Sequence, residues 1–363
     1  MSFLERMIRS NGFYLLIMTI VIALCVTIFI SPNFLTDGNI RGGIFVPMVV
    51  SGIMIVAVGP LLIGGGIDLS CAAQAALASV VFAKLLEMFP MMPWPVILLV
   101  VLLCGVVFGL VNTFLCNGLN IMPFVATIGT MSIYRGLGQA WTLNNNVPVN
   151  NDGFTTIGGT IPEVLGVDMG FMNAVPLLFL VMILLIAVYT YVLSNTRFGR
   201  SVYMCGGNPT AARLAGLNPK RVRAALYINS GVISAFAGVV WAAQYRMGHA
   251  TSLADNMPNF SALTAVILGG VSFIGGSGGL VSGFIALLLV TVFDNGMSIL
   301  AIASAVGGRP AYGAYVNTTL VGLILVIALM IDYISSVRKQ RALVSAAMKR
   351  HAERKAAKAA EGS

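Results

Sequence analysis

Long apolar runs separated by short polar breaks follow one another along most of the chain. A membrane-crossing helix takes about twenty predominantly apolar residues, and ten runs of that kind are predicted: 13–31, 44–64, 67–87, 94–117, 122–141, 174–194, 222–245, 259–274, 279–300 and 314–335. The third and eighth are the least uniform, because each abuts a glycine cluster. The first lacks an Ala-x-Ala cleavage site and ends at Ser31-Pro32, so it is read as a retained span and not a signal peptide. The predicted fold class is an all-α polytopic membrane protein of about ten transmembrane helices.

Composition agrees with the pattern. Of 363 residues, 58% are hydrophobic and 9% charged, with a mean hydropathy of +0.93. So few charges cannot cover a water-facing surface of this size, so lipid is the solvent for most of it. Two histidines and twelve acids leave little for a metal site or an acid/base pair, so no enzyme, metal or cofactor is expected. Five cysteines without a CxxC pair read as packing residues.

The net charge of +9 does not point to nucleic acid, because placement decides its meaning. Sixteen of the 21 basic residues lie before the first span, between spans six and seven, or in the tail from Arg338 onward. By the positive-inside rule those three stretches are cytoplasmic, and six spans before the middle loop and four after it satisfy that arrangement. The expected layout is a cytoplasmic N-terminus (1–12), a transmembrane domain (13–335) and a basic cytoplasmic tail (336–363). Within the domain lie a cytoplasmic loop at 195–223 and an external loop at 142–173. Arg41, Arg246 and Arg309 fall on external loops, either as docking cations for a partner or as partners for helix ends and nearby acids.

Glycine clusters interrupt the apolar runs at Gly64-Gly65-Gly66-Ile67-Asp68 and again from Gly269 to Gly279, about 205 residues later. Such breaks free backbone groups to line a cavity and recur in the two halves of many transporters, so a two-fold internal repeat is expected. Asp68 is costly among apolar neighbours. Either it caps the third span, or it belongs with Gly65 and Gly66 to a gate. Asn112, Thr130, Tyr134, Gln139, Asn229 and Gln244 are candidates for a passage, since neutral amides and hydroxyls suit a neutral polyhydroxylated solute. Hydrogen bonds between helices are the alternative role for each.

The middle loop holds two successive helix-start signals, Asn208-Pro209 and Asn218-Pro219, with Gly216 as the stop between them. They predict a short capped surface helix carrying Arg213 and Leu214, suited to docking a partner. None of the six lysines follows a glycine, so there is no P-loop, and any nucleotide hydrolysis belongs to another subunit.

The segments GGGIDLS, TIGTMSIYRGL, TRFGR, GGNPTAARLAGLNPKRVR and AVILGGVSFIGGSGG, in this order, resemble the ribose-type permeases of bacterial ATP-binding cassette importers. The resemblance covers most of residues 10–335. It implies an inner-membrane permease for a neutral monosaccharide, paired with a second copy or a sister chain. A cytoplasmic ATP-binding subunit and a periplasmic sugar-binding protein are the other implied partners. It also implies that the 206–217 segment, with Asn208, Pro209, Arg213, Leu214 and Gly216, couples to the ATPase. One departure is that Cys71-Ala72-Ala73 follows DLS where such permeases usually continue Val-Gly. Nucleosides or another small polar solute remain alternative cargoes. An ion-coupled secondary carrier would rely on Asp68 and Asp294.

Overall fold

The computed structural model describes residues 11–161, 163, 175–255 and 258–306, together with 319, 322, 323, 326 and 330. The basic tail, Arg309 and most of the tenth predicted run lie outside the described residues. Eleven helices carry the fold: α1 (Asn11–Phe29), α2 (Val46–Ile63), α3 (Cys71–Met88), α4 (Trp94–Thr113), α5 (Pro123–Thr142), α6 (Leu177–Asn195), α7 (Arg197–Gly207), α8 (Pro209–Leu214), α9 (Pro219–Tyr245), α10 (Pro258–Leu268) and α11 (Leu280–Val306).

Among the described residues, seven helices are long and apolar enough to cross a membrane. Two predicted runs fall short of that for different reasons. α5 is a full-length helix of 20 residues whose hydroxyls, Arg135 and Gln139 lower its apolarity. α10 has 11 residues and stops at Leu268, where the glycines from Gly269 onward turn the chain, so the expected span 259–274 is a half-length helix. The break after α2 likewise delays the third helix to Cys71.

α2 and α9 form the centre. Fifteen of the 18 residues of α2 are buried, so it behaves as a helix that is apolar all round and enclosed by neighbours. α9 packs against α2, α3 and α4. Small residues permit this closeness, as expected where helices associate in lipid by backbone approach and not by expelling water. A methyl group added at Gly105 of α4 would sit 2.7 Å from the Gly231 carbonyl oxygen of α9, and one at Gly238 would sit 3.0 Å from the Ser79 amide of α3. The outward faces of α1, α4 and α6 instead expose large aliphatic side chains such as Ile28, Leu99, Leu103 and Leu184, which suit hydrocarbon.

The predicted external loop is an ordered cap where it is described. Val147–Pro148 (β1) pairs antiparallel with Met247–Gly248 (β2), and buried Phe154 sits 4.5 Å from the Phe82 ring and 5.6 Å from the Trp94 ring. This cap closes the bundle at the end opposite α8, termed the outer end below.

Candidate functional site

Four local structures bear on function: a capped knob, a glycine junction, a buried polar network and a cavity.

The knob is α8. Asn208 accepts a hydrogen bond from the Ala211 amide at 3.0 Å and Pro209 occupies the first turn. The helix ends in a Schellman motif: Gly216, at φ +82°, donates to the Arg213 carbonyl, and Leu217 donates to the Ala212 carbonyl. Asn218 then caps α9 through the Arg221 amide. This clamping at both ends holds a six-residue helix that propensity alone would not stabilise. Arg213 is exposed, and Leu214 is 88% exposed.

The knob is anchored through α7, an amphipathic helix capped by Thr196 and buried along Val202, Cys205 and Gly206. Burial pushes the Cys205 thiol up from its ordinary value, which keeps it protonated and unreactive. At the end of α7, three backbone segments converge. The Gly276 amide donates to the Ile63 carbonyl at 2.7 Å, a methyl group at Gly206 would come within 2.9 Å of that same amide, and Tyr203 donates from its hydroxyl to the Gly278 carbonyl at 2.8 Å. A methyl group on Gly275 would lie 3.0 Å from the Gly65 backbone. The two glycine breaks read separately from the sequence are therefore in contact, with the end of α7 packed against both.

Asp68 is two residues ahead of the N-cap position it was expected to fill, which Ser70 occupies at the start of α3. Its buried carboxylate is the hub of a polar network. Oδ1 accepts from the Ser70 amide (2.9 Å) and hydroxyl (2.5 Å), and Oδ2 accepts from Ser230 (2.9 Å) and Gln74 (3.4 Å). Asn112 donates to the Ser70 hydroxyl at 3.0 Å, and Thr130 donates to Asn112 Oδ1 at 2.9 Å. The network joins α3, α4, α5 and α9 and satisfies a carboxylate that would otherwise be prohibitive in this setting.

Most of the passage candidates are thus tied into the bundle. Asn112 and Thr130 belong to the Asp68 network, and Tyr134 donates to the Phe108 carbonyl at 3.4 Å. Asn229 donates to the Val56 carbonyl at 3.2 Å and accepts from the Tyr189 hydroxyl. Gln139 is half-buried on α5. Gln244 donates to the Val46 carbonyl at 3.3 Å, and its own carbonyl oxygen is buried without a partner among the described residues. Gln244 lies beside the fourth feature.

That feature is a cavity of about 540 Å³ at the outer end. Gly43, Val46 and Ser51 wall it on one side, Trp241 and Tyr245 of α9 on another, Ser261 of α10 on a third, and Thr291, Asp294, Asn295 and Ser298 of α11 on the fourth. Of these polar α11 positions the sequence pointed only to Asp294, as an acid that an ion-coupled carrier would use. Their spacing of three and four residues within an apolar helix is the signal that marks a polar face turned inward. Of the external arginines, Arg41 forms a two-pronged ion pair with Glu163, both contacts at 3.2 Å. Arg246 ends α9 in the left-handed region at φ +54° and is exposed.

Comparison with known proteins decides the family. The model of the branched-chain amino acid transport system / permease component family matches residues 43–333. The chain belongs to this permease family. Among its curated relatives, the galactose/methyl galactoside import permease protein MglC of Escherichia coli (strain K12) is 31% identical over 93% of this chain and 98% of its own length. The fructose import permease protein FrcC of Rhizobium meliloti is 30% identical over 75% of this chain and 71% of its own. The ribose import permease protein RbsC of Escherichia coli (strain K12) is 29% identical over 88% and 92%. No solved structure matches the chain. As a member of this permease family, the protein is a multi-pass inner-membrane transport subunit and not an enzyme, and membership implies an ATPase and a substrate-binding protein as partners.

Proposed function

We propose that this permease forms the passage for a neutral monosaccharide in an ATP-binding cassette importer, with α8 as the helix that docks into the ATPase. The observation that carries the coupling role is the position of α8: a clamped knob presenting Leu214, attached through α7 to the contact between both glycine breaks. The cargo follows from relatives that are named for three different sugars and align with this chain over most of its length. In the proposed arrangement there are ten spans, both termini are cytoplasmic, the halves are related, and a second copy or sister chain completes the passage. Arg246 and Arg309 are the proposed docking cations for the binding protein, Arg41 being engaged by Glu163.

Mechanically, ATP-driven closure of the ATPase displaces α8. α7 carries the displacement to the glycine junction, where Ile63 ends α2 and the 275–278 loop leads into α11. A packed bundle answers by switching between discrete arrangements, because close-packed interfaces do not deform continuously. Gly65, Gly66 and Asp68 sit where that switch acts.

The test is ATP-dependent accumulation of radiolabelled monosaccharides in proteoliposomes holding the permease, its ATPase and its binding protein. Sugar uptake that requires all three components is the expected result. Accumulation of nucleosides but no sugar would overturn the cargo, and uptake that persists without ATP but collapses with the ion gradient would overturn the mechanism.

A further inference from the structure

We propose that the outer cavity between α2, α9, α10 and α11 is a monosaccharide-holding site within each permease chain, occupied between release from the binding protein and passage inward. The inference rests on the proposed function and specifies where in the chain the sugar is held.

Its lining combines aliphatic side chains such as Val50, Leu253 and Leu287 with two more specific parts. Tyr245 presents an aromatic surface, backed by the buried Trp241 at a ring-centroid distance of 4.9 Å. A pyranose has an apolar face of C–H groups that packs on such a surface, while its hydroxyls need donors and acceptors around the edge. Ser51, Thr291, Asn295 and Ser298 supply that edge from two other walls, and Asp294 adds an acceptor. No lysine or arginine lines the cavity among the described residues, so nothing there selects an anion. A lipid chain would find polar groups with nothing to bond, which disfavours it as the occupant. The volume, about 540 Å³, falls within the range of small-molecule sites and leaves room for a monosaccharide with bridging waters.

The rim is also built. Asn39 donates to Asn295 Oδ1 at 2.8 Å, and Asn295 donates back to Asn39 Oδ1 at 3.1 Å. Gly43 lies beneath this amide pair, and any side chain there would collide with both amides. Residues Ile40–Phe45 are wound as a wider π-helical turn, a local irregularity that often marks functional positions in helices. The amide pair therefore ties the entry of α2 to the polar face of α11 at the edge of the cavity, and its rupture widens the mouth.

The experiment uses the reconstituted three-component importer. Ser51→Cys and Ser298→Cys are each made in a Cys25→Ala, Cys104→Ala background and treated from outside with a membrane-impermeant thiosulfonate. Buried Cys71, Cys116 and Cys205 do not compete for the reagent. Modification is expected to cut uptake about tenfold, and sugar-loaded binding protein to slow modification, because the reagent and the sugar contend for one space. Thr291→Val, which keeps the shape and removes one hydroxyl, is expected to raise the KM for uptake roughly two- to tenfold and to reorder preference among sugar epimers. Full uptake by both modified cysteine variants, together with an unchanged KM and sugar ranking in Thr291→Val, overturns the holding site while leaving the importer assignment standing. A wild-type complex that moves no sugar overturns the importer assignment itself.

Discussion

The amide of Gly276 donates to the carbonyl of Ile63 at 2.7 Å, joining the last residue of α2 to the loop that leads into α11. Gly206, two residues before the cap of the docking helix, packs against the same carbonyl with no room for a side chain. A methyl group there must push apart three backbone segments, an overpacking that costs about 1–3 kcal/mol. Gly206→Ala is therefore expected to lower the thermal unfolding midpoint of the purified permease and to reduce sugar-stimulated ATP hydrolysis more than basal hydrolysis. Equal loss of both rates would mean that the junction does not transmit.

Leu214 predicts the opposite combination. It is exposed and touches little of its own chain, so Leu214→Asp should leave the unfolding midpoint unchanged. If Leu214 is buried in the ATPase, its loss weakens the complex by about 1.5–3 kcal/mol, or roughly ten- to a hundredfold in affinity. Co-purification at graded ATPase concentrations measures this, and an unshifted binding curve would remove α8 from the interface.

Asp68 is predicted to be a stability residue in the first instance. Asp68→Leu leaves the Ser70 amide and the Gln74 donor facing an apolar group, at a cost of about 2–4 kcal/mol. Asp68→Asn keeps one acceptor oxygen and the shape, so its cost is about 1 kcal/mol. Unfolding of the two variants in detergent should rank them in that order. A permease carrying Asp68→Asn that is fully stable yet inactive in transport would place the carboxylate charge in the gate.

The outer cap should respond to acid. The Thr160 amide holds the Glu163 carboxyl below the usual carboxylate range against the opposing effect of burial, and the Arg41 guanidinium adds to the lowering. A lowered folded-state value means that the tie is intact above the ordinary carboxylate range and is lost as pH falls through the lower folded value. Both partners are exposed, so the effect is local and weak in salt. An acid-active protease should nick the 142–173 segment faster as pH drops through that window, with Glu163→Gln cleaved at the acid-state rate at every pH. A flat profile in the wild type would deny the tie any role in ordering the cap.

The helices, their approximate limits and the short capped helix α8 were legible because each rests on local chemistry: apolar runs of membrane length, and Asn-Pro and Gly punctuation around residues 208–219. The half-length α10 was not legible from hydropathy, because the apolar side chains continue beyond Leu268 while the glycines at 269 and 270 turn the backbone. Convergence of the glycine breaks was also hidden, since two points about 205 residues apart carry no pairing signal in one sequence. Amides and hydroxyls such as Asn112 and Thr130 look alike in sequence whether they line a passage or bridge helices. Only their partners distinguish the two roles, whereas the inward stripe at Thr291, Asp294, Asn295 and Ser298 was readable from its spacing alone.

α2 walls the sugar cavity near its first residue and ends in the glycine junction at its last, with 15 of its 18 residues held on all sides. Packing on all sides lets such a helix pass a shift at Ile63 on toward Val46 through its neighbours, with Pro60 as the weak point in its last turn. An energised membrane discharges through any water-filled hole that is open at both ends. One packed element shared by the two closures makes their states mutually exclusive, and the permease can pass a bulky hydrated solute without becoming a leak for ions.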